Sequence, residues 1–231
     1  MTVAFRAANS ASVTGTGTSA TVTKPTGTVD TDFLIAFQTI GSTGVESSLT
    51  GPAGWANQGF GGTDGNTGVI QWWTKTASGE PASWTWGKSN VGNMCVSVLS
   101  FSTPAATPLD GTIVFDQNTT AGTTATSSGL TTNFTNDILV VCIDANSGAP
   151  TISTPTGMTQ QTNPVAGATN THACFTQTIA VAGATGIRAS TLGASQKWVT
   201  AALAISGAIV SSFNVQKIVQ SRAALMNAST W

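Results

Sequence analysis

The chain has 231 residues, of which 40% are hydrophobic and only 7% are charged, and its formal net charge is −1. This balance excludes a nucleic-acid-binding protein that neutralises phosphates with clustered Lys and Arg, and it excludes an acidic disordered chain. No apolar run approaches the roughly 20 residues that span a bilayer, so we expect neither a membrane nor a nucleic acid as partner.

The N-terminus also lacks a basic flank followed by an apolar stretch, so we expect no signal peptide. Abundant Thr favours strands and 25 Gly residues favour turns, which together predict an all-β protein. The expected strands of the first half are Val3–Ala7, Ser19–Thr23, Phe33–Ile40, Gly68–Thr76, Ala82–Trp86 and Asn93–Phe101. Those of the second half are Ile113–Asp116, Thr123–Ser127, Asp137–Asp144, Thr171–Val181, Gly186–Ser190 and Trp198–Ser206.

The sequence repeats itself at a nearly constant distance. Four motifs recur in the same order at separations of 105, 103, 102 and 104 positions, which indicates an internal duplication. The matching segments are Asp32–Phe37 with Asp137–Cys142, Pro52–Trp55 with Pro155–Met158, Trp73–Thr76 with Phe175–Thr178, and Val96–Phe101 with Thr200–Ile205.

This repeat predicts two tandem antiparallel β-sandwich domains, 1–105 and 106–207, followed by a short C-terminal tail, 208–231. A jelly-roll and an immunoglobulin-like topology remain open. The two prolines in 102–108 predict a short stiff linker. The tail has near-helical apolar spacing and ends at Trp231, so it is either a helix or an extended arm. It either docks onto a partner or folds back on the second domain.

The tryptophans are the candidate contact residues. Adjacent strand residues face opposite sides of a sheet, so Trp72 and Trp73 cannot share one core, whereas Trp84 and Trp86 lie on one face. The second half has Ile187 and Ala189 where the first has that pair. Three explanations stay open: packing of one copy on the other, a subunit contact, and a carbohydrate-binding platform. The candidate residues are Trp55, Trp72, Trp73, Trp84, Trp86 and Trp231.

Cys95, Cys142 and Cys174 each lie in an apolar run and are not close together in the sequence. We interpret them as small buried hydrophobic residues of a chain made in a reducing cytoplasm. His172 is the only histidine, and we interpret it as a structural or surface residue. The spacing gives no triad and no metal motif, so neither a metal nor a cofactor is expected.

Carboxylates could in principle perform glycoside hydrolysis as a pair. Asp30 and Asp32 are close in the sequence, but they precede the strand Phe33–Ile40 and are interpreted as turn residues. Since no acid–base constellation can be named, we expect no enzymatic activity.

The first half carries a resemblance to a known module. Its segments run Val29–Ala36, Gly51–Trp55, Trp72–Ala77, Glu80–Trp86 and Val96–Phe101. This series resembles a β-sandwich module of tailed-bacteriophage structural proteins and related bacterial sequences. The second half is similar only in outline, because it has Ala-Thr-Gly-Ile at 184–187 in place of the Glu-Pro-Ala-Ser block. The resemblance implies a virion component and supplies no catalytic residue.

The expected function is therefore a non-enzymatic structural component of a tailed-phage virion, above all a head decoration protein. It would be made in the host cytoplasm, form homo-oligomers and contact other capsid or tail proteins. The alternative is a tail-fibre or host-surface module that binds a host glycan through exposed Trp.

Overall fold

The computed structural model describes residues 2–41, 49–62, 68–89, 92–146, 151–167 and 170–207. These residues form an all-β structure of antiparallel sheets, as the composition predicts. Throughout those ranges, no helix is long and apolar enough to cross a membrane. The predicted tail, 208–231, and its Trp231 lie outside the described residues.

Sixteen strands are formed by the described residues. In chain order they are β1 Ala4–Val13, β2 Ser19–Thr23, β3 Phe33–Ile40, β4 Leu49–Thr50, β5 Ala56–Gly61, β6 Val69–Thr76, β7 Ser83–Lys88, β8 Met94–Ser102, β9 Pro104–Ser127, β10 Thr131–Thr132, β11 Asp137–Asn146, β12 Thr159–Thr162, β13 Val165–Ala166, β14 Asn170–Ile179, β15 Gly183–Ala184 and β16 Arg188–Gly207.

Four sheets stack as layers. The first large sheet has the strand order β1-β8-β3-β6-β5, and the second has the order β12-β14-β11-β16-β9 with β13 also paired to β14. A three-stranded sheet, β2-β7-β4, packs on the outside of the first large sheet, and the two-stranded sheet β10-β15 lies on the second side. The two large sheets pack face to face in the middle.

Strand β3 illustrates why the large sheets need cover on both faces. All eight of its residues are buried. Its side chains alternate between two cores, because successive strand residues point to opposite faces. Leu34 and Ala36 pack towards the three-stranded sheet, whereas Ile35 and Phe37 pack towards the second large sheet. Each large apolar side chain buried in this way contributes roughly 1.5–3 kcal/mol to folding.

The two large sheets have the same strand order, since β1-β8-β3-β6-β5 of the first sheet corresponds to β9-β16-β11-β14-β12 of the second. They also share a register. The matching cross-strand pairs are Phe33 with Thr76 and Phe101 in the first sheet, and Ile138 with Thr178 and Ile205 in the second. These positions are separated by 105, 102 and 104 residues, the same separations that the sequence motifs have.

The Pro-x-Gly turns also match. The N–H of Trp55 donates to the Pro52 carbonyl at 3.3 Å, and the N–H of Met158 donates to the Pro155 carbonyl at 3.1 Å. Both turns place glycine in the left-handed region, with φ of 81° at 54 and 79° at 157. A side chain at either position would strain the backbone, which explains the glycine in both motifs.

Contacts between the two large sheets are reciprocal. Strand β8 contacts β14, and its counterpart β16 contacts β6, which is the counterpart of β14. In the same way β1 contacts β12, and β9 contacts β5. Matching surfaces therefore meet each other, as they do across the twofold axis of a homodimer.

The structure differs from the expected strands and linker in three respects. The segment from Pro104 onward belongs to strand β9, so the predicted linker is reduced to a bend at Thr103. Strands β9 and β16 are longer than expected, since bulges let each one continue past a bend. The short strands β4, β5 and β12 were not predicted.

Candidate functional site between the two large sheets

The described tryptophans lie in the interior. Four of them pack in the core between the first large sheet and the three-stranded sheet, namely Trp55, Trp73, Trp84 and Trp86. The rings of Trp55 and Trp86 meet edge to face at 5.1 Å. Trp72 points the other way, into the interface between the large sheets. All five are at most 7% exposed, which corrects the expectation of exposed aromatic surface and agrees with the packing alternative.

At the positions that match Trp84 and Trp86, the structure places other residues of the second half than the sequence repeat predicts. In the first half Val22 pairs with Trp84, and in the second half Ser127 pairs with Arg188. The next matching position has Ser190 in place of Trp86. The expected equivalents, Ile187 and Ala189, are therefore wrong by one residue, and Ile187 is 68% exposed.

Asp30 and Asp32 form the turn that the sequence predicts. Asp30 accepts the N–H of Gly79 at 2.8 Å. Asp32 is 2% exposed and pairs with both the Nε and the Nη2 of Arg6, at 2.6 and 2.9 Å. It also accepts the hydroxyl of Ser100. These partners satisfy the Asp32 carboxylate, so it stabilises the turn and is not available as a general base.

The matching position of the second half has a different partner. Asp137 occupies the place of Asp32, but Asp110 stands where Arg6 does, so two carboxyl groups face each other. Burial and the charge of Asp110 raise the pKa of Asp137 to about 7. The pKa of Asp110 is lowered despite its burial, because the side chain and the backbone N–H of Asn133 donate hydrogen bonds to its carboxylate. Asp137 is therefore the protonated member of the pair.

The sequence treats Cys142, His172 and Cys174 as unrelated residues, and the structure brings them together. Cys142 and Cys174 are directly opposite each other on β11 and β14, and His172 lies two residues before Cys174. The Nε2 atom of His172 lies 3.1 Å from the Cys174 sulfur and 3.6 Å from the Cys142 sulfur. All three residues are completely buried, which confirms the burial predicted for the cysteines and makes the histidine interior.

Asp144 completes a square of four side chains on one sheet face. It is two residues after Cys142 and is directly opposite His172, so all four side chains point towards the first large sheet. The first large sheet presents Phe37, Thr39, Ile70 and Trp72 at the matching positions. One face is therefore almost wholly apolar, while the other carries two thiols, an imidazole and a carboxyl group.

Thr39 connects the two faces. Its hydroxyl lies 3.3 Å from the Nδ1 atom of His172, the ring nitrogen that is farther from the Cys142 sulfur, at 4.0 Å. The amide of Asn170 also donates to the Thr39 hydroxyl at 3.2 Å. These contacts fix the plane of the imidazole, so that its Nε2 atom faces Cys142 and Cys174.

Burial controls the electrostatics of the cluster. It raises the pKa of Cys142 well above its usual range, and the neighbouring Cys174 raises it further. Burial also acts on Cys174, but hydrogen bonding from Cys142 and the proximity of His172 outweigh it, and they hold its pKa well below the usual range. Burial raises the pKa of Asp144 to about 7, against the opposing effects of His172 and Thr39. Cys174 is therefore the more acidic thiol of the cluster, and Asp144 is more readily protonated than an exposed carboxyl group.

The sequence contains the signal for this cluster as Cys-x-Asp at 142–144 and His-x-Cys at 172–174. Both segments fall in predicted strands, and an antiparallel pairing of the two in the right register brings the four side chains onto one face. Spacing alone could not supply that register. A comparison with protein-family models, with curated proteins and with solved structures found no match for this chain.

Proposed function

We propose that the chain is a non-enzymatic structural component of a tailed-phage virion, most specifically a head decoration protein that assembles through protein–protein contacts. The proposal rests on the resemblance of the first half and on one structural observation. Among the described residues, the tryptophans and the cysteine–histidine cluster, which could have formed an active or sugar-binding site, are buried. The side chains that could have bound a sugar or performed chemistry therefore lie in the interior of the protein.

The architecture in this proposal is a pair of tandem β-sandwich units, 1–105 and 106–207, that arose by duplication. Identical strand order, matching register and the two Pro-x-Gly turns support it. Reciprocal packing of the large sheets joins the two units through a shared core, as suits a component that must keep its shape in a particle. The finer topology, jelly-roll or immunoglobulin-like, stays part of the proposal.

The sheet edges offer surfaces for assembly. Strands β1 and β9 end the two large sheets, and in the described part of the chain each pairs with a neighbour on one side. Strand β9 runs over 24 residues and is half-exposed along much of its length. Free backbone groups on such an edge can accept a strand from a neighbouring protein.

Exposed apolar side chains supply a second kind of contact. Phe134 follows β10 and is 40% exposed, and Val181 precedes β15 and is 75% exposed. Because β10 and β15 are antiparallel, these two residues lie on neighbouring segments at one end of the same small sheet. Apolar groups of this kind contribute to protein contacts even when the surrounding surface is polar.

The glycan-binding alternative needs exposed aromatic rings. The five candidate tryptophans within the described residues are buried, so this alternative loses the residues on which it was based. A titration with host-surface glycans, followed by tryptophan fluorescence, should give no saturable quenching. Saturable quenching would restore the alternative.

The decisive experiment is quantitative mass spectrometry of purified phage particles from cells that express the chain. Hundreds of copies per particle are expected for a head decoration, whereas a handful would indicate a tail or vertex component. Absence from particles would overturn the proposal. Val181→Asp should weaken binding to particles that lack the chain, and Thr21→Asp, on the outer face of the opposite small sheet, is the matched control.

The role of 208–231 is tested separately. Truncation after residue 207 should abolish particle binding if this tail is the docking segment, and unchanged binding would refute that role. Circular dichroism of the truncated chain shows whether the sheets are retained.

A further inference from the structure

We propose that Cys142, His172 and Cys174 bind one zinc ion between the two large sheets. The three residues offer two sulfurs and one imidazole nitrogen, and their ligand atoms all lie within 4.8 Å of one another. Thiolate and imidazole are the ligands that zinc prefers in structural sites.

The spacing of the ligand atoms fits a tetrahedral ion. With Zn–S bonds of about 2.3 Å and Zn–N bonds of about 2.0 Å, two ligand atoms on a tetrahedron lie roughly 3.5–3.8 Å apart. The Nε2 atom of His172 lies 3.6 Å from one sulfur and 3.1 Å from the other. The first distance fits this range and the second is a few tenths of an ångström short, while all three ligand atoms lie within 4.8 Å of one another, so modest side-chain movements would bring them onto one ion.

Charge also favours the ion. Zinc carries two positive charges, and binding to two cysteines displaces two thiol protons and leaves two thiolates. With a neutral imidazole, the filled site has no net charge, which suits a completely buried position.

The partners of the cluster resemble those of a metal-binding histidine. When Nε2 binds the ion, Nδ1 carries the proton and donates it to the Thr39 hydroxyl at 3.3 Å, which fixes the ring. Both carboxylate oxygens of Asp144 are buried and have no hydrogen bond of normal geometry among the described residues. A buried acceptor without a donor is costly, and a bound cation would satisfy it.

Comparison with the first large sheet indicates that these residue types are not needed for packing. The equivalent positions carry Phe37, Ile70 and Trp72, which fill the same interface with apolar side chains. At all three positions the second half has a residue whose side chain can bind a metal ion. We infer that the ion lies within the interface between the halves and stabilises it.

The experiment begins with reduced protein, unfolded in urea with a chelator and refolded with or without zinc, since a fully buried site fills as the chain folds. Elemental analysis after gel filtration should find close to one zinc per chain. Refolding with cobalt should give intense visible absorption typical of tetrahedral sites and near-ultraviolet thiolate-to-cobalt bands. Zinc should also raise the melting temperature.

The variants Cys174→Ala and His172→Asn should lose the cobalt bands and at least tenfold in zinc affinity. Asp144→Asn should weaken binding by a smaller factor. Cys95→Ala is the matched control, because Cys95 is buried and faces the carbonyls of Pro164 and Asn170 instead of the cluster; it should bind as the wild type does.

Two results would overturn the proposal. One is a refolded, reduced wild-type chain that holds less than a tenth of an equivalent of zinc and shows no cobalt bands. The other is a Cys142–Cys174 disulfide in protein isolated from the cytoplasm, detected by mass spectrometry after alkylation. Variants that do not fold leave the wild-type measurements to decide, and neither result bears on the proposed virion role.

Discussion

The two halves of the chain share their strand order and register but differ in the side chains that fill them. The core between the first large sheet and the three-stranded sheet contains four tryptophans, whereas the corresponding core of the second half contains one tryptophan, Trp198, one phenylalanine and smaller side chains. At matching positions the pairs are Trp55 and Met158, Trp73 and Phe175, Trp84 and Arg188, and Trp86 and Ser190. The same backbone arrangement therefore accommodates side chains of very different volume at matching positions.

The comparison separates what sets the fold from what stabilises it. Turn glycines, strand pairing and the alternation of apolar residues are the same in both halves, so these features determine the arrangement. The identity of the core side chain varies, so it adjusts stability locally. Variants at matching positions can test this division directly.

The largest difference is expected at Trp86 and Ser190. Trp86 is completely buried and contacts the rings of Trp55 and Trp73, so Trp86→Ala should lower the free energy of unfolding by about 4 kcal/mol. Ser190 is buried and its hydroxyl has no hydrogen-bond partner among the described residues, so Ser190→Ala should change stability by less than about 0.5 kcal/mol. Urea unfolding measures both values. Equal losses of stability would contradict the inference that the identity of the core side chain adjusts stability locally.

The next effect concerns the buried ion pair of the first half. Arg6→Ala leaves the Asp32 carboxylate, which is 2% exposed, without its cation, and should cost about 3 kcal/mol at neutral pH. Arg6→Lys keeps the charge but loses the two-point contact, and should cost about 1 kcal/mol. Chemical denaturation distinguishes the two. A loss at Arg6→Ala no larger than that of Arg6→Lys would show that the charge itself contributes little.

The second half should respond to pH in a way that the first does not. The folded-state pKa of Asp137, about 7, exceeds its unfolded value of about 4, so the folded chain binds the additional proton. The stabilisation that comes from this proton should therefore be complete below about pH 4 and should decline as the pH rises to about 7. The total loss is at most about 1.4 kcal/mol for each unit of difference between the folded and unfolded pKa values.

Asp137→Asn removes this titration and keeps a hydrogen-bond donor towards Asp110. The stability of the variant relative to the wild type should increase from pH 5 to pH 8. Thermal unfolding at the two pH values measures the difference, with Asp144→Asn as a comparison, because the pKa of Asp144 is also raised to about 7. An Asp137→Asn chain that loses stability between pH 5 and pH 8 as the wild type does would contradict the assignment to Asp137.

The smallest effect should be the same in both halves. Gly54→Ala and Gly157→Ala each place a side chain at a φ near 80°, which costs about 1–2 kcal/mol. The new methyl groups would meet only the ends of flexible side chains, Lys75 and Gln177, so backbone strain should dominate. Melting temperatures should fall equally, and a large inequality would mean that the two turns have different surroundings.

Much of the strand pattern could be predicted from the sequence. The strands Ser19–Thr23 and Phe33–Ile40 have the predicted bounds, and several others differ by one or two residues, because apolar alternation and turn residues are local signals. The repeat separations agree with the register of the large sheets. Strands β4 and β12 were missed because they are only two and four residues long, too short for an alternating pattern to be recognised.

The candidate site could not be predicted in the same way. Residues 142 and 174 are directly opposite each other only because of one register between strands 30 positions apart, and a shift of one residue would turn one set of side chains to the other face. The burial of Trp72 likewise depends on the second large sheet packing against the first. Local patterns identify which face a residue occupies, but they do not identify what covers that face.

The reciprocal contact of the large sheets has a consequence for how such a protein can change. In an assembly of identical subunits, any new residue appears on both surfaces at once, so a substitution must be tolerated twice. Here the two surfaces are encoded separately, and one can acquire polar, reactive side chains while the other stays inert. Joining the halves in one polypeptide thus allows an asymmetric interior that exact symmetry would forbid.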